Sequence, residues 1–340
     1  MAPRSGPFLA RWDLDKTYLR TDFDTLGALL RTALERPDRK RSVPGAAPLL
    51  RELGRSGARI HIVSGSPRQM RGRLEEKLRI DRVGWDELTL KPNLSNVLRM
   101  RFSALRDQLG YKLPVLLESR VRNQALGAVR EALVGDDAEA DAFVYSLYAD
   151  VVSGAVGREA LMAVLAEGHT YEDQADRCLT ALGALEAFDA VERVLIHLDR
   201  QSPPSRFEEY GARVVPFFNY LQAAFVLHQD GRIGAEAVLR VASELALRHR
   251  FDADALARSH LELWRRGHLE RAPVGALREA LARLREATGL FAKDELEKMC
   301  DRLDEYAEAP GPRRSPGTPR LDYLELARRH RGGHNRRRAP

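Results

Sequence analysis

The residues most suited to chemistry lie near the N-terminus, where Asp13 and Asp15 stand two apart in a Trp-Asp-Leu-Asp-Lys-Thr segment. They come shortly after the apolar residues 8–10, and residues 8–15 predict a buried strand that ends in the acidic pair. Side chains alternate along a strand, so residues two apart share a side. One carboxylate could then attack phosphorus while the other transfers protons. Many surface loops would match this pattern alone, so its meaning depends on the residues that follow.

Three more groups follow in an order that suits the same chemistry. They are a serine, a lysine and a set of aspartates: Ser64, Lys112, Asp136, Asp137 and Asp141. Ser64 and Asp136 each end an apolar segment that predicts a buried strand. Ligands of parallel α/β sheets bind beyond the carboxyl ends of the strands. We therefore expect these side chains to meet Asp13 at one edge of a sheet.

The ordered set predicts phosphoryl transfer assisted by Mg²⁺, with Asp13 as the nucleophile and Asp15 as the acid and base. Mg²⁺ takes oxygen ligands and would let one anion attack another. The predicted metal ligands are Asp13, Asp15 and Asp136, of which Asp13 and Asp136 can supply carboxylates, with Asp137 or Asp141 completing or orienting the shell. The choice between Asp137 and Asp141 stays open at this point.

Two residues are predicted to hold the phosphoryl group. Ser64 offers a hydroxyl donor, and Lys112, at the predicted start of a helix, offers a compact cation. Lys91, which follows the apolar segment 87–90, is the alternative to Lys112. Ser64 could instead cap the helix that follows it. The nine histidines show no ligand spacing, so we assign them no role.

Apolar segments that predict strands alternate with segments that predict helices. The predicted strands span 8–15, 58–63, 87–90, 131–134, 191–198 and 212–218. The predicted helices among them span 24–36, 47–54, 69–79, 112–120 and 143–152. This alternation predicts an α/β fold in three layers, with a parallel sheet covered by helices on both faces.

The later part of the chain is predicted to add helices to this core. We expect one domain at 1–230 with a helical insertion at about 155–190, an all-helical appendage at 231–308 and a tail at 309–340. The appendage follows from apolar residues that recur at helical spacing after Gly234.

The net charge of +6 comes from the tail. Residues 309–340 hold nine arginines and two acids, a net charge of +7, so the rest of the chain carries −1. Prolines and glycines among these arginines predict a mostly disordered tail with a short helical segment at 321–330. We expect peripheral contact with an anionic membrane through this tail, and nucleic acid is a further anionic partner that its charge permits.

Cysteine usage and hydropathy predict a compartment. Cys178 and Cys300 are far apart and fit neither a disulfide framework nor a metal-ligand pattern, which favours a reducing environment. The first residues lack the apolar segment of a signal peptide. The longest apolar run, 214–227, is shorter than the about 20 residues that cross a bilayer. We expect a cytoplasmic protein, peripheral to a membrane where the tail binds one.

The ordered motifs resemble those of the haloacid dehalogenase-like phosphatase superfamily. Within it, the chain is similar to the App1-type phosphatidate phosphatase catalytic domain family. Besides the acids, the similar segments are 39–45, 63–67, 84–91, 111–113 and 135–145, and the resemblance covers roughly residues 8–228. It implies the fold of that superfamily, Mg²⁺ as cofactor, and a phosphatase whose first candidate substrate is phosphatidate or a related lipid phosphate.

The chain departs from the family's pattern close to the acids. Lys16 stands where the family usually has a third acid, and Gly65 where it commonly has asparagine. Residues 234–340 lie outside the resemblance. Two alternatives to a lipid phosphatase therefore remain. One is a phosphatase on soluble phosphomonoesters, including nucleic-acid ends, and the other is a phosphate-binding scaffold without turnover, which the intact acid set disfavours.

Overall fold

The computed structural model describes residues 6–19, 42–91, 105–286, 292–307, 317 and 319–336. Within these ranges the strands are β1 (Phe8–Asp13), β2 (Arg59–Pro67), β3 (Glu87–Lys91), β4 (Arg130–Asp136), β5 (Val191–His197) and β6 (Val214–Phe217). They form one parallel sheet in the order β3-β2-β1-β4-β5-β6. The six predicted strands are confirmed, with ends that differ by a few residues.

Helices connect the strands and follow the last of them. Those of the first part are α1 (Ala46–Arg55), α2 (Arg71–Ile80), α3 (Leu105–Asn123), α4 (Asp141–Val152), α5 (Arg158–Glu167), α6 (Glu172–Ala184) and α7 (Tyr220–Gln229). Those of the C-terminal region are α8 (Ala235–His249), α9 (Ala253–Arg265), α10 (Val274–Glu286), α11 (Lys293–Tyr306) and α12 (Tyr323–Arg336). The helix predicted at 24–36 lies outside the described residues.

Successive residues of the central strands face opposite layers of helices. Trp12 and Leu195 pack in one hydrophobic cluster with residues of α1, α2 and α7 to α11. Leu133 and Val194 pack in a second cluster with residues of α3 to α6 and of α12. The sheet is thus buried on both faces, as parallel sheets usually are. The C-terminal helices α8 to α11, expected as an appendage, share their core with one face of this sheet.

Helix α12 lies where the sequence predicted a short helical segment, at 321–330, within a mostly disordered tail. The helix runs to Arg336 and packs on the body with Tyr323 and Leu326 buried, which the sequence did not predict. The Tyr323 hydroxyl donates to Asp150 Oδ2 at 2.7 Å. Two arginines of α12 pair with acids of the body, Arg328 with Glu167 and Arg329 with Glu209. Burial of one apolar face stabilises this helix although the segment is rich in polar residues. Residues 308–316, 318 and 337–340 lie outside the described ranges.

The predicted start of α3 is also wrong. The sequence predicted a helix that begins at Lys112 and continues despite Pro114 near its start. In the structure α3 already runs from Leu105, and Pro114 lies within it. Leu105 and Leu109 are buried in the second cluster, so packing extends the helix toward the carboxyl edge of the sheet.

The order of the strands marks where a ligand would bind. Strands β1, β2 and β3 follow one another from the centre of the sheet toward one edge, and β4, β5 and β6 follow one another toward the other edge. In such sheets the crevice lies at the carboxyl ends of the two strands where the order reverses, here β1 and β4. None of the helices in the described ranges has the length and apolar character needed to cross a bilayer.

A buried ionic network holds β1, β4 and α3 together beneath this edge. The Glu131 carboxylate accepts hydrogen bonds from Arg11 Nε at 2.7 Å, Arg120 Nη1 at 2.9 Å and the Tyr148 hydroxyl at 2.7 Å. Burial alone would raise the pKa of Glu131, but the charges of Arg11 and Arg120 outweigh it and hold this pKa below its usual value. The network therefore depends on an ionised Glu131.

We expect Glu131→Gln to lower the free energy of unfolding by about 3–5 kcal/mol, because it leaves two buried guanidinium groups without their counter-charge. Urea denaturation at pH 7 measures this loss. The difference from wild type should shrink as the pH falls through and below about 4.3, where the unfolded-state carboxylate protonates first. The matched control is Glu118→Gln, since the exposed Glu118–Arg177 pair should contribute less than about 1 kcal/mol. Equal losses in both variants would contradict this assignment.

Candidate active site

Asp13, Asp136 and Asp141 meet at the crevice between β1 and β4. Asp13 ends β1, Asp136 ends β4 and Asp141 begins α4. One carboxylate oxygen from each lies within 4.8 Å of the other two, and all three residues are buried. The convergence predicted from the strand ends is therefore found for these acids.

The turn after β4 fixes two of these carboxylates. The Asp136 N–H donates to Asp141 Oδ2 at 3.1 Å, and Asp136 Oδ1 accepts the N–H groups of Ala138 at 2.6 Å and Glu139 at 3.0 Å. A Cβ atom at Gly135 would lie 2.3 Å from Asp141 Oδ2. Glycine at this position therefore lets α4 bring Asp141 against the end of β4.

Lys112 supplies the positive charge at the centre of the site. Its Nζ lies 3.1 Å from Asp13 Oδ1, 2.8 Å from Glu139 Oε2 and 2.5 Å from Asp141 Oδ1. Sequence reasoning missed Glu139, which stands three residues after Asp136 and shares its turn. Glu139 could have been found from the sequence through its place in the segment 135–145. An acid three residues after Asp136 can lie in the same turn and reach the same site.

Asp15 lies beside this group and is held by two serines of β2. Ser64 Oγ donates to Asp15 Oδ2 at 2.9 Å, and Ser66 Oγ lies 3.2 Å from the same oxygen. Thr17 Oγ1, from the same loop as Asp15, donates to Asp13 Oδ2 at 3.3 Å. Ser64 therefore reaches the site as predicted, but its hydroxyl is directed at Asp15 in this structure.

Asp137 lies apart from the other acids. Its carboxylate accepts backbone N–H groups from Arg200 at 2.8 Å and Ser202 at 3.0 Å, in the loop after β5. The structure therefore distinguishes the two residues between which the sequence left the choice open. Asp141 lies with Asp13 and Asp136, whereas the Asp137 carboxylate binds the backbone of the loop after β5.

Of the two candidate lysines, Lys112 makes the ion pair with Asp13. Lys91 is also buried, and its Nζ lies 4.9 Å from the centre of the Tyr111 ring. Burial lowers the pKa of Lys91, against the opposing effect of Glu139 and Asp107. Lys91 thus borders the site on the β3 side while Lys112 occupies its centre.

Burial disfavours the ionised form of the clustered carboxylates, and Lys112 offsets this only in part. Burial raises the pKa of Asp13 well above its usual value, although Lys112 opposes the shift. The pKa of Asp136 is raised well above its usual value by burial and by the neighbouring charges of Glu139 and Asp141. Burial would lower the pKa of Lys112, but Asp13, Asp141 and Glu139 hold it well above its usual value.

The donor set fits a small divalent cation. Asp13, Asp136 and Asp141 offer hard oxygen ligands on separate elements, which is the chemistry that Mg²⁺ prefers. A divalent ion would also offset the excess of buried negative charge that raises these pKa values. Asp15, whose carboxylate is engaged by Ser64 and Ser66, stands next to this set rather than within it.

Comparison with known proteins leaves the family of this chain unassigned. No protein-family model matches the sequence, and no curated protein matches it. Among solved structures, a chain of the Pnkp1/Rnl/Hen1 complex is similar, with a TM-score of 0.29 and 17% sequence identity. The match covers 42% of the present chain and 44% of that chain. A likeness this partial supports no statement about activity or partners.

Proposed function

We propose that this protein is a Mg²⁺-dependent phosphatase that hydrolyses a phosphomonoester through an aspartyl-phosphate on Asp13. The observation that carries the proposal is the position of Asp13, which ends β1. Its Oδ1 lies 3.1 Å from Lys112 Nζ, and one of its carboxylate oxygens lies within 4.8 Å of a carboxylate oxygen of Asp136 and one of Asp141. The motif resemblance to haloacid dehalogenase-like phosphatases, and within them to the App1-type family, supports the same activity.

In the first step, a carboxylate oxygen of Asp13 attacks phosphorus and the ester P–O bond breaks. Asp15 gives its proton to the departing oxygen, so the alcohol leaves neutral. Lys112 offsets the negative charge of Asp13 and of the transferring group. Mg²⁺, held by Asp13, Asp136 and Asp141, would supply further positive charge to the phosphoryl oxygens.

In the second step, a water molecule attacks phosphorus of the aspartyl-phosphate. Asp15, now ionised, takes a proton from that water, and the bond between phosphorus and Asp13 breaks. Inorganic phosphate and both starting carboxyl groups are regenerated. The same residue thus acts as acid and then as base, which requires that it stay close to the reacting oxygen in both steps.

The substrate class proposed first is a lipid phosphate such as phosphatidate, on the strength of the motif resemblance. Soluble phosphomonoesters are the second candidate. The relevant measurement is phosphate release by the purified protein from short-chain phosphatidate, from a sugar phosphate and from p-nitrophenyl phosphate. A lipid preference should appear as a higher kcat/KM for phosphatidate.

We expect EDTA to stop phosphate release and Mg²⁺ to restore it. Ca²⁺ should restore it poorly, because Ca²⁺ takes more ligands in a looser geometry than Mg²⁺. Asp136→Ala should raise the Mg²⁺ concentration needed for half-maximal rate or remove activity. Turnover that persists in EDTA, or no turnover on any phosphomonoester with Mg²⁺ present, would show that the proposed function is wrong.

A further inference from the structure

Ser66 faces the site although the sequence motifs gave it no role. Alternation along β2 places Ser64 and Ser66 on the same side of the strand. Both are buried, and the pairing of β2 with β3 shifts register between Ser64 and Pro67. The end of β2 therefore presents two hydroxyls to the loop that carries Asp15.

These two hydroxyls and Asp15 form a closed set of hydrogen bonds. Ser64 Oγ donates to Asp15 Oδ2 at 2.9 Å, and Ser66 Oγ lies 3.3 Å from Oδ1 and 3.2 Å from Oδ2. The Ser66 N–H donates to Ser64 Oγ at 3.0 Å. Ser66 thus contacts Asp15 directly and also holds the neighbouring serine.

A serine hydroxyl carries one proton, so Ser64 cannot donate to a phosphoryl oxygen and to Asp15 at once. When Ser64 turns to a bound phosphoryl group, Ser66 is the hydroxyl in this set that still donates to Asp15. We infer that Ser66 is a positioning residue that keeps the Asp15 carboxyl aimed at the leaving-group oxygen while Ser64 binds phosphate. This inference rests on the proposed function.

The experiment compares Ser66→Ala with wild type on substrates whose leaving groups differ in their need for a proton. An alkyl phosphate needs a well-placed acid, whereas 2,4-dinitrophenyl phosphate does not. We expect kcat/KM, which reports the steps up to release of the alcohol, to fall roughly tenfold more for the alkyl ester than for the dinitrophenyl ester, a part of the 10²–10⁴-fold that general acid catalysis contributes. The inhibition constant of inorganic phosphate should change little, because Ser66 does not bind phosphate in this scheme.

Ser66→Thr, which keeps the hydroxyl, should restore the alkyl-ester rate. Should Ser66→Ala fail to fold, Ser66→Cys makes the same comparison with a weak donor of similar size. Equal losses on both esters in either variant would overturn the inference and leave Ser66 as a packing residue.

Asp15→Asn separates this outcome from failure of the proposed function. A strong leaving-group dependence in Asp15→Asn, together with none in Ser66→Ala, refutes the role of Ser66 alone. No leaving-group dependence in Asp15→Asn would show that Asp15 is not the general acid, and both proposals would then fall.

Discussion

Asp13→Asn is expected to reduce phosphate release to background while the protein remains folded. The amide keeps the shape of the side chain but lacks the charge that attacks phosphorus. It also removes one of the three carboxylates that could hold the metal ion. Phosphate release with saturating Mg²⁺ measures activity, and thermal denaturation followed by circular dichroism measures folding.

Asp137→Asn is the matched control for this substitution. It makes the same chemical change in the same region, but the Asp137 carboxylate accepts backbone N–H groups from Arg200 and Ser202 in the loop after β5. Most activity should therefore remain. Near-normal phosphate release by Asp13→Asn would exclude Asp13 as the nucleophile and with it the proposed mechanism.

Lys112→Ala is expected to lower kcat by a factor equivalent to about 2.7–4 kcal/mol, the usual loss when one preorganised electrostatic group is removed from an active site. Lys112 Nζ contacts carboxylates of Asp13, Glu139 and Asp141, so its loss leaves them without their shared counter-ion. Single-turnover kinetics with p-nitrophenyl phosphate would separate this effect from product release.

Lys91→Ala serves as the comparison for Lys112→Ala. Lys91 is buried beside the same site, but its ammonium lies over Tyr111 and it is not the lysine paired with Asp13 at 3.1 Å. We expect a much smaller loss of kcat. A larger loss in Lys91→Ala than in Lys112→Ala would mean that Lys91, at the end of β3, is the phosphate-binding cation.

The strands were predictable because each contains a short apolar segment and these segments alternate with helical ones, as expected for a parallel sheet buried on both faces. The ends of helices were less so. The helix α3 was predicted to begin at Lys112, whereas contacts of Leu105 and Leu109 with the second cluster extend it toward the N-terminus. Burial of these leucines outweighs the cost of Pro114 inside the helix.

The tail shows the same limit. Its arginines, prolines and glycines predict disorder around a short helical segment at 321–330, and composition alone cannot indicate that Tyr323 donates a hydrogen bond to Asp150 on α4. A helix this short is stable only when another surface buries its apolar face. Similarly, the helices after residue 234 were predictable as helices, but their shared core with the sheet follows from packing.

For the candidate site, the sequence by itself determined which acids stand at strand ends. Asp13 and Asp136 were expected at one edge of the sheet, because the carboxyl ends of parallel strands lie there. Their contact depends on the pairing of β1 with β4, which the structure supplies. The choice of Asp141 over Asp137, the contact of Glu139 with Lys112 and the contact of Ser66 with Asp15 were decided by the tertiary structure. Spacing fixes the edge that a side chain reaches. Turn geometry and packing against other elements fix the atom that it touches.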